Sequence, residues 1–333
     1  MTASPEFVTV AMEEVRDLEP GHSPELMLLG EGVFFWRSSH PIGANQLLLA
    51  KPPIFLHHLH RAAVWDYSGS EELQATVCGR LATDLQPVPT GSRVALQGRA
   101  VSSRHLWQPR ELKVVVDSRL IELGFVPAVK EPDWVISVTQ AGDQVYYGVS
   151  SVEHNLSDWT GGMVHFRKGP GDISRSNFKL LEAITRWKLC LPQGGIALDL
   201  GAAPGGWTRV LLDRGMRVIA VDTGELDPRL LGQLGLTFLQ RNVNDLTLPA
   251  TTRLDMLTCD MSWDPFFTVR AVNRLSERLQ SGGQVILTVK LMGKRPRQTV
   301  RQVIEALDQR LILCHAQHLF HNRQEVTLHL QRV

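Results

Sequence analysis

Gly195-Ile196-Ala197-Leu198-Asp199-Leu200, running into Gly201-Ala202-Ala203-Pro204-Gly205-Gly206-Trp207, decides the reading of this chain. The apolar run that ends in glycine reads as a buried strand, and Trp207 to Asp213 (WTRVLLD) as the helix that follows it. A strand that passes through glycines into a helix lets backbone N–H groups approach a ligand with no Cβ in the way. A dinucleotide fingerprint, G-x-G-x-x-G, would need glycine at position 203. Ala203 stands there, which weakens a pyrophosphate-binding reading.

Outward from this stretch the pattern is regular. Arg217–Asp222, Leu236–Gln240, Leu254–Asp260 and Gln284–Lys290 read as four further strands. Between them, Asp227-Pro228 opens a helix through Leu234, with proline at the first helical position, and Phe266–Leu279 carries apolar residues at helical spacing. Thr299–Leu307 reads as a helix; Leu311–Phe320 and Glu325–Val333 read as two last strands with no helix between them, and so as an antiparallel pair. Alternation at these lengths predicts an α/β fold, a parallel sheet covered on both faces with one antiparallel strand. Ahead of it lies an α+β N-terminal region. There Arg93–Val101 reads as a strand, Leu112–Leu123 as a helix stopped by Gly124 and Pro127, and Trp134–Val138 with Val145–Val149 as a hairpin around Gly142-Asp143. The expected domains are 1–92, 93–152 and 153–333, with a linker near 150–170.

The 333 residues are enough for two or three domains, and 43% hydrophobic with 21% charged residues is an ordinary globular balance. Apolar runs such as Val285-Ile286-Leu287 fall far short of a membrane span. The acidic start (Glu6, Glu13, Glu14, Asp17) does not look like a secretory signal, and Cys78, Cys190, Cys259 and Cys314 form no C-x-x-C pair. A cytoplasmic protein without a metal or membrane partner is expected. The net charge of +1 conceals an asymmetry: residues 1–150 hold 12 Lys+Arg against 17 Asp+Glu, the remainder 23 against 17. Two clusters, Arg167, Lys168, Arg175 and Lys179, then Lys290, Lys294, Arg295, Arg297 and Arg301, supply much of the excess. Such clusters serve phosphate backbones or form solvated helix faces.

D-L-G-x-x-P-G-G resembles the glycine loop of S-adenosylmethionine-dependent methyltransferases, so the expected sheet is the Rossmann-like one of that class. The resemblance implies cofactor contacts at Asp199, Gly201, Ala202, Pro204, Gly205, Gly206, Trp207 and Asp260. Asp222 ends the second strand 21 residues after Gly201, where a carboxylate can accept both ribose hydroxyls. Asp245 would reach the adenine amino group in the same family pattern.

Four ionisable residues stand on separate elements: Lys179 in Ser174-Arg175-Ser176-Asn177-Phe178-Lys179-Leu180-Leu181-Glu182, Asp260 after the fourth strand, Lys290 ending the fifth, and Glu325 opening the last. Singly, each is an ordinary solvated strand-end or helix charge. As a Lys–Asp–Lys–Glu set in this order they resemble the FtsJ-type ribose 2′-O-methyltransferases. The segments Val289–Arg295, Leu319–His329 and Trp159-Thr160-Gly161-Gly162 are closest to the RlmM branch, which acts on a cytidine 2′-hydroxyl of large-subunit (23S) ribosomal RNA and carries an N-terminal THUMP domain. Residues 93–152 are the corresponding THUMP-like RNA-binding candidate. The implied activity is RNA 2′-O-methylation, with Arg167, Lys168, Arg175, Lys294, Arg295 and Arg297 as phosphate contacts. A ribose hydroxyl is a poor nucleophile; Lys290 either takes its proton as a base or stays cationic and stabilises the alkoxide, with Lys179 and Glu325 orienting it. Asp260-Met261-Ser262-Trp263 differs from the N-P-P-Y or D-P-P-Y of amine methylation, and no cysteine lies in the Pro-Cys context of pyrimidine C5 chemistry. The other readings are an RNA-binding assembly factor and a methyltransferase acting on tRNA or a small molecule. The oligomeric state is left open.

Overall fold

The computed structural model describes residues 1–19, 25–66, 70–101, 108–167, 169 and 171–333. The chain divides into two compact units, 1–164 and 165–333.

The first unit holds two sheets. Strands β1 (Thr2–Ala3), β2 (Glu25–Gly30), β3 (Val33–Arg37) and β4 (Leu56–His58) form an antiparallel sheet of order β2-β3-β1-β4, accompanied by α1 (Val8–Arg16) and α2 (Pro41–Ala50). The second sheet has the order β5-β9-β8-β6-β7, from β5 (Ala63–Asp66), β6 (Arg93–Ala100), β7 (Val126–Pro127), β8 (Trp134–Ala141) and β9 (Gln144–Ser151). The expected hairpin is present as β8 and β9, closing Ala141 on Gln144, and Gly142 supplies the positive φ of its tight turn. Against this sheet lie α3 (Ser70–Asp84) and α4 (Pro109–Glu122). Each presents one apolar residue per turn, Leu73, Val77 and Leu81 from α3 and Leu112, Val116 and Leu120 from α4, all at most 1% exposed. The sheet containing β6 therefore begins at Ala63, well upstream of Arg93. Four residues in β5 are too few to announce a strand by alternation, and only their pairing with Gln144–Tyr147 reveals it.

The second unit is one seven-stranded sheet of order β12-β11-β10-β13-β14-β16-β15. Its strands are β10 (Ile196–Leu200), β11 (Arg217–Asp222), β12 (Leu236–Gln240), β13 (Leu254–Cys259), β14 (Leu279–Lys290), β15 (Leu311–Gln317) and β16 (Glu325–Arg332). Strands β10 to β14 are parallel, and β16 runs antiparallel to both β14 and β15. This is the mostly parallel sheet expected from the alternation, and the Rossmann-like one that the glycine-loop resemblance implied. Four helices connect or precede the strands: α5 (Asn177–Arg186), α6 (Gly206–Asp213), α7 (Pro265–Ser276) and α8 (Pro296–Glu305). Strand order reverses beside β10, which pairs with β11 on one side and β13 on the other. Loops leaving the carboxyl ends there diverge to opposite faces and open a crevice, the usual binding place in an open α/β sheet.

One expected helix is absent. Asp227 to Leu234 forms successive turns closed by Leu230 N→Asp227 O, Leu231 N→Pro228 O and Gln233 N→Leu230 O, not a helix. The Asp227 side chain caps Arg229 N at 2.9 Å, but Gly232 at φ 80° turns the chain before a second helical turn can form. This turn still has a packing role. Gly205, the residue before α6, sits at φ 114°, and a Cβ there would lie 2.1 Å from Leu230 Cδ1. Gly205→Ala is expected to destabilise the second unit by about 1–3 kcal/mol through backbone strain and displaced Leu230. Thermal denaturation checks it, and an unchanged midpoint would refute the packing role.

Candidate active site

The ends of β13, β14 and β16 and the first turn of α5 bring four charged side chains together. Lys179 Nζ lies 3.0 Å from Asp260 Oδ2 and 2.9 Å from Glu325 Oε1. Lys290 Nζ lies 3.1 Å from Asp260 Oδ1 and 3.5 Å from Glu325 Oε2. Each lysine thus faces both carboxylates. Sheet register accounts for half of the arrangement, because Lys290 and Glu325 are paired residues at the end of the β14–β16 ladder. Asp260 follows β13 by one residue, its backbone N–H donating to Leu200 O, and α5 delivers Lys179 from above.

The side chains are 7–16% exposed, so their charges are largely withdrawn from water. Burial opposes the charge on Lys179, but Asp260 and then Glu325 outweigh it and hold the ammonium above the ordinary lysine range. Burial likewise works against the Glu325 carboxylate, and Lys179 and Lys290 reverse it, holding this group below the usual range. Thr288, buried one turn of pleat before Lys290, donates its hydroxyl to Asp260 Oδ1 at 2.8 Å. Its alternation with Lys290 along β14 was a readable signal for this contact, though nothing in the sequence named its partner.

Beside the tetrad a cleft of about 240 Å³ is lined by Gly201, Ala203, Asp222, Thr223, Arg241, Val243 and the run Asp260–Trp263. Asp222 is tied to the loop that forms the cleft: Oδ2 accepts from Ala203 N at 2.9 Å and Oδ1 from Gly224 N at 2.7 Å. Gly201, at φ 73°, borders the cleft and also touches Met261, whose Cγ would be 2.7 Å from an added Cβ. Not every residue of the glycine loop faces this space. A Cβ on Gly205 would meet Leu230, and one on Gly206 would lie 2.3 Å from Ser174 Oγ, so protein neighbours require these two glycines. Trp207 is 3% exposed and donates its indole N–H to Ser176 O at 2.7 Å, fixing the approach to α5. Ala202 is buried and Pro204 exposed. Asp199 lies beneath the loop, accepting from Thr208 Oγ1 at 2.6 Å and Thr258 Oγ1 at 2.8 Å. Asp245 is exposed in the turn Val243–Asp245; Val243 borders the cleft and Asp245 does not. Thr223 and Arg241 were not singled out by sequence, and Ser262 and Trp263 only as a departure from an amine-methylation motif, because single residues in loops carry no periodic signal.

A further carboxylate supports the site from behind. Glu182 is fully buried and accepts from the backbone N–H of Phe320 and of His321, both at 2.9 Å, and meets His321 Nδ1 at 2.8 Å. It clamps the loop ahead of Glu325 to α5, one helical turn beyond Lys179. Cys259 ends β13 with its thiol fully buried and pushed up to about 12, chiefly by that burial, which removes it as a nucleophile. Of the basic residues read as phosphate contacts, Arg167, Arg175, Lys294 and Arg295 are exposed and Arg297 is half-buried. Lys168 lies outside the described residues.

Residues 173–321 match the FtsJ-like methyltransferase family. Among curated relatives, the ribosomal RNA large subunit methyltransferase M of Halorhodospira halophila is 34% identical over 181 residues, 53% of this chain and 52% of its own. The protein of the same name from Dickeya chrysanthemi is 34% identical over 203 residues, 56% of this chain and 54% of its own. That of Pseudomonas aeruginosa is 28% identical over 270 residues, 77% and 72% of the two chains. The chain spans about half the length of the first two. The FtsJ-like segment covers the glycine loop, α5 and the strand ends that carry Asp260 and Lys290, and it ends four residues before Glu325.

Asp199 allows a direct check of the interior of the FtsJ-like domain. Its pKa is raised from 3.8 to about 6, first by burial, with the two threonine hydroxyls opposing and Asp260 and Asp222 adding to the rise. A carboxyl whose folded pKa exceeds its unfolded value binds more protons when folded, so stability falls as pH rises from about 4 to 6 and is flat above that window. Relative to Asp199→Asn, the parent is expected to lose about 2–3 kcal/mol across it. Urea denaturation of both proteins at pH 4 and pH 7 measures the difference; a pH-independent gap would show that Asp199 ionises normally.

Proposed function

We propose that this protein is an S-adenosylmethionine-dependent RNA ribose 2′-O-methyltransferase acting on large-subunit ribosomal RNA, with a cytidine as acceptor. The observation that carries the proposal is the Lys179–Asp260–Lys290–Glu325 network, largely withdrawn from solvent and set against the Asp222 cleft. Resemblance of the curated relatives, each named for large-subunit ribosomal RNA, supports the substrate class. The cleft residues fit the cofactor. Asp222 keeps lone pairs beyond its two backbone contacts to accept ribose hydroxyls, and Gly201 leaves the floor open. Asp260 belongs to both the cleft and the tetrad, which supports a cofactor held in the cleft with its methyl group toward the lysines.

S-adenosylmethionine supplies an activated methyl group on a sulfonium, so the protein has to align the acceptor oxygen and manage its proton. Lys290 Nζ is held by Asp260 and Glu325, leaving its remaining valence for the acceptor 2′-oxygen. As a neutral amine Lys290 takes the hydroxyl proton; as an ammonium it stabilises the forming alkoxide. Lys179 balances the two carboxylates, without which Asp260 and Glu325 would repel each other. Thr288 fixes the Asp260 rotamer and Glu182 fixes the loop that brings Glu325 to its place. A ribose can reach such a site only from a single-stranded or locally opened RNA. Arg167, Lys168, Arg175, Lys294, Arg295 and Arg297 are proposed to hold its phosphates, 93–152 to serve, together with the β5 and α3 segments of the same sheet and core, as a THUMP-like RNA-binding region, and the protein to work in the cytoplasm. Among the described residues no helix is long and apolar enough to cross a membrane.

Lys290→Ala is expected to lower methyl transfer to unmodified ribosomal RNA by at least about 100-fold while S-adenosylhomocysteine binding by calorimetry stays within a few-fold. Near-normal transfer by that variant would remove Lys290 from the chemistry. The double charge reversal Arg295→Glu, Arg297→Glu should weaken RNA binding and make log affinity against log salt shallower by about two. An unaltered slope would place the phosphates elsewhere.

A further inference from the structure

The first unit contains a cavity of about 750 Å³ that takes no part in the site described above. Its volume falls within the range of small-ligand pockets. One wall is aromatic. Phe35 and Trp36 come from β3, Tyr146 and Tyr147 from β9, and the Phe35 and Tyr146 rings stand 5.1 Å apart at 50°. Basic groups sit among these rings. Arg37, Arg61 and Arg80 line the cavity, with Arg37 over the Phe35 ring at 5.9 Å and Arg80 over the Tyr147 ring at 5.4 Å. Among the described lining residues the one carboxylate is Asp84, which already accepts from Arg80 at 3.2 Å. Arg37 is paired with Glu25 at 3.2 Å, but both are more than half exposed, and such a pair in water is weak. His60, also lining the cavity, is held neutral with a pKa lowered to about 4, first by burial. A basic cavity in the acidic half of the chain, where residues 1–150 hold 12 Lys+Arg against 17 Asp+Glu, is not a by-product of overall charge.

Trp36 Nε1 and Asn45 Nδ2, on residues that line the cavity, are shielded from solvent and meet no acceptor among the described residues. Rotation of either side chain into the cavity would offer the donor to a ligand acceptor. Flat aromatic faces, donors without acceptors and guanidinium groups together suit a planar heterocycle that carries carbonyl or ring-nitrogen acceptors and is joined to a phosphate. We infer that this cavity binds a nucleotide unit, its base against Phe35, Trp36 and Tyr146 and its phosphate at Arg37, Arg61 and Arg80. The ligand is a free nucleotide or one unstacked nucleotide of an RNA strand. The inference does not rest on the methyl-transfer reading.

The test is ¹⁹F NMR of the full chain labelled with 5-fluorotryptophan, with the Trp36 resonance assigned among the eight tryptophans through Trp36→Phe. The probes are the four nucleoside 5′-monophosphates, the matching nucleosides and a single-stranded RNA tetranucleotide. Saturable shifts of the Trp36 signal by the monophosphates, weakened about tenfold in the nucleosides and at least about threefold in Arg61→Glu, are expected. Tighter binding of the tetranucleotide would identify an RNA strand as the source; response to the monophosphates alone would identify a free nucleotide. No change at Trp36 up to about 10 mM of any probe would overturn the inference, as would an equal response of parent and Arg61→Glu to nucleosides and monophosphates. Decanoic acid is the counter-probe, and saturation by it in place of the nucleotides would make the cavity an acyl-chain site. Because the signal reports Trp36 alone, failure here leaves the tetrad untouched, and failure of the Lys290 experiment leaves the cavity untouched.

Discussion

Two ammonium groups and two carboxylates share a space where each is at most 16% exposed, and the cost of burying each is offset by the opposite charges beside it. Charges withdrawn from water must be balanced and hydrogen-bonded, or the cost of desolvating them falls on the fold. Removing one lysine would leave two carboxylates facing a single cation; removing one carboxylate would leave two cations close together. The surrounding structure answers this constraint. Strands β14 and β16 must pair in the register that sets Lys290 opposite Glu325, α5 must place Lys179 above them, and Thr288 must supply Asp260 with a further donor. Glu182 extends the same logic inward, its buried charge compensated by two backbone N–H groups and His321.

That arrangement explains why the antiparallel strand matters. An entirely parallel sheet would carry every strand end outward in the same direction, and the amino end of the last strand could not meet the carboxyl end of the fifth. Because β16 runs the other way, Glu325 at its start lies against Lys290 at the end of β14. The crevice beside β10 and the tetrad therefore occupy the same edge of the sheet, joined through Asp260. The glycine loop contributes differently from what its composition suggests. Gly201 borders the open cleft, whereas Gly205 and Gly206 are glycine because Leu230 and Ser174 occupy the space a side chain would need.

Legibility varied with the length of the periodic signal. The strands of the second unit are largely apolar and bounded by turn residues, and each was found, although β14 begins at Leu279, five residues ahead of the expected Gln284. Asp227–Leu234 looked helical because Asp-Pro starts a helix well, yet Gly232 stops it after a single turn, a local breaker outweighing a local starter. In the first unit β5 escaped notice because four half-exposed residues carry no alternation, although Val77 and Leu81 of α3 were already spaced for a buried face. Asp199 shows the complementary difficulty. The resemblance implied a cofactor contact there, and the structure shows its carboxylate held by two threonines from neighbouring elements.

By itself, the sequence determined the alternation of strand and helix, the single reversed strand and the glycine turn, since these follow from local pattern and residue chemistry, while the four charged residues stood out only as a set resembling a known family. Only the tertiary structure decided that Lys179 and Lys290 each face both carboxylates, that Asp222 borders the cleft while Asp199 and Asp245 do not, and that aromatic and basic side chains from β3, β9 and α3 surround one cavity. The physical reason is that contacts between residues tens to hundreds of positions apart depend on strand register and helix placement, which are set by burial over the whole domain and leave no trace in any short window of sequence.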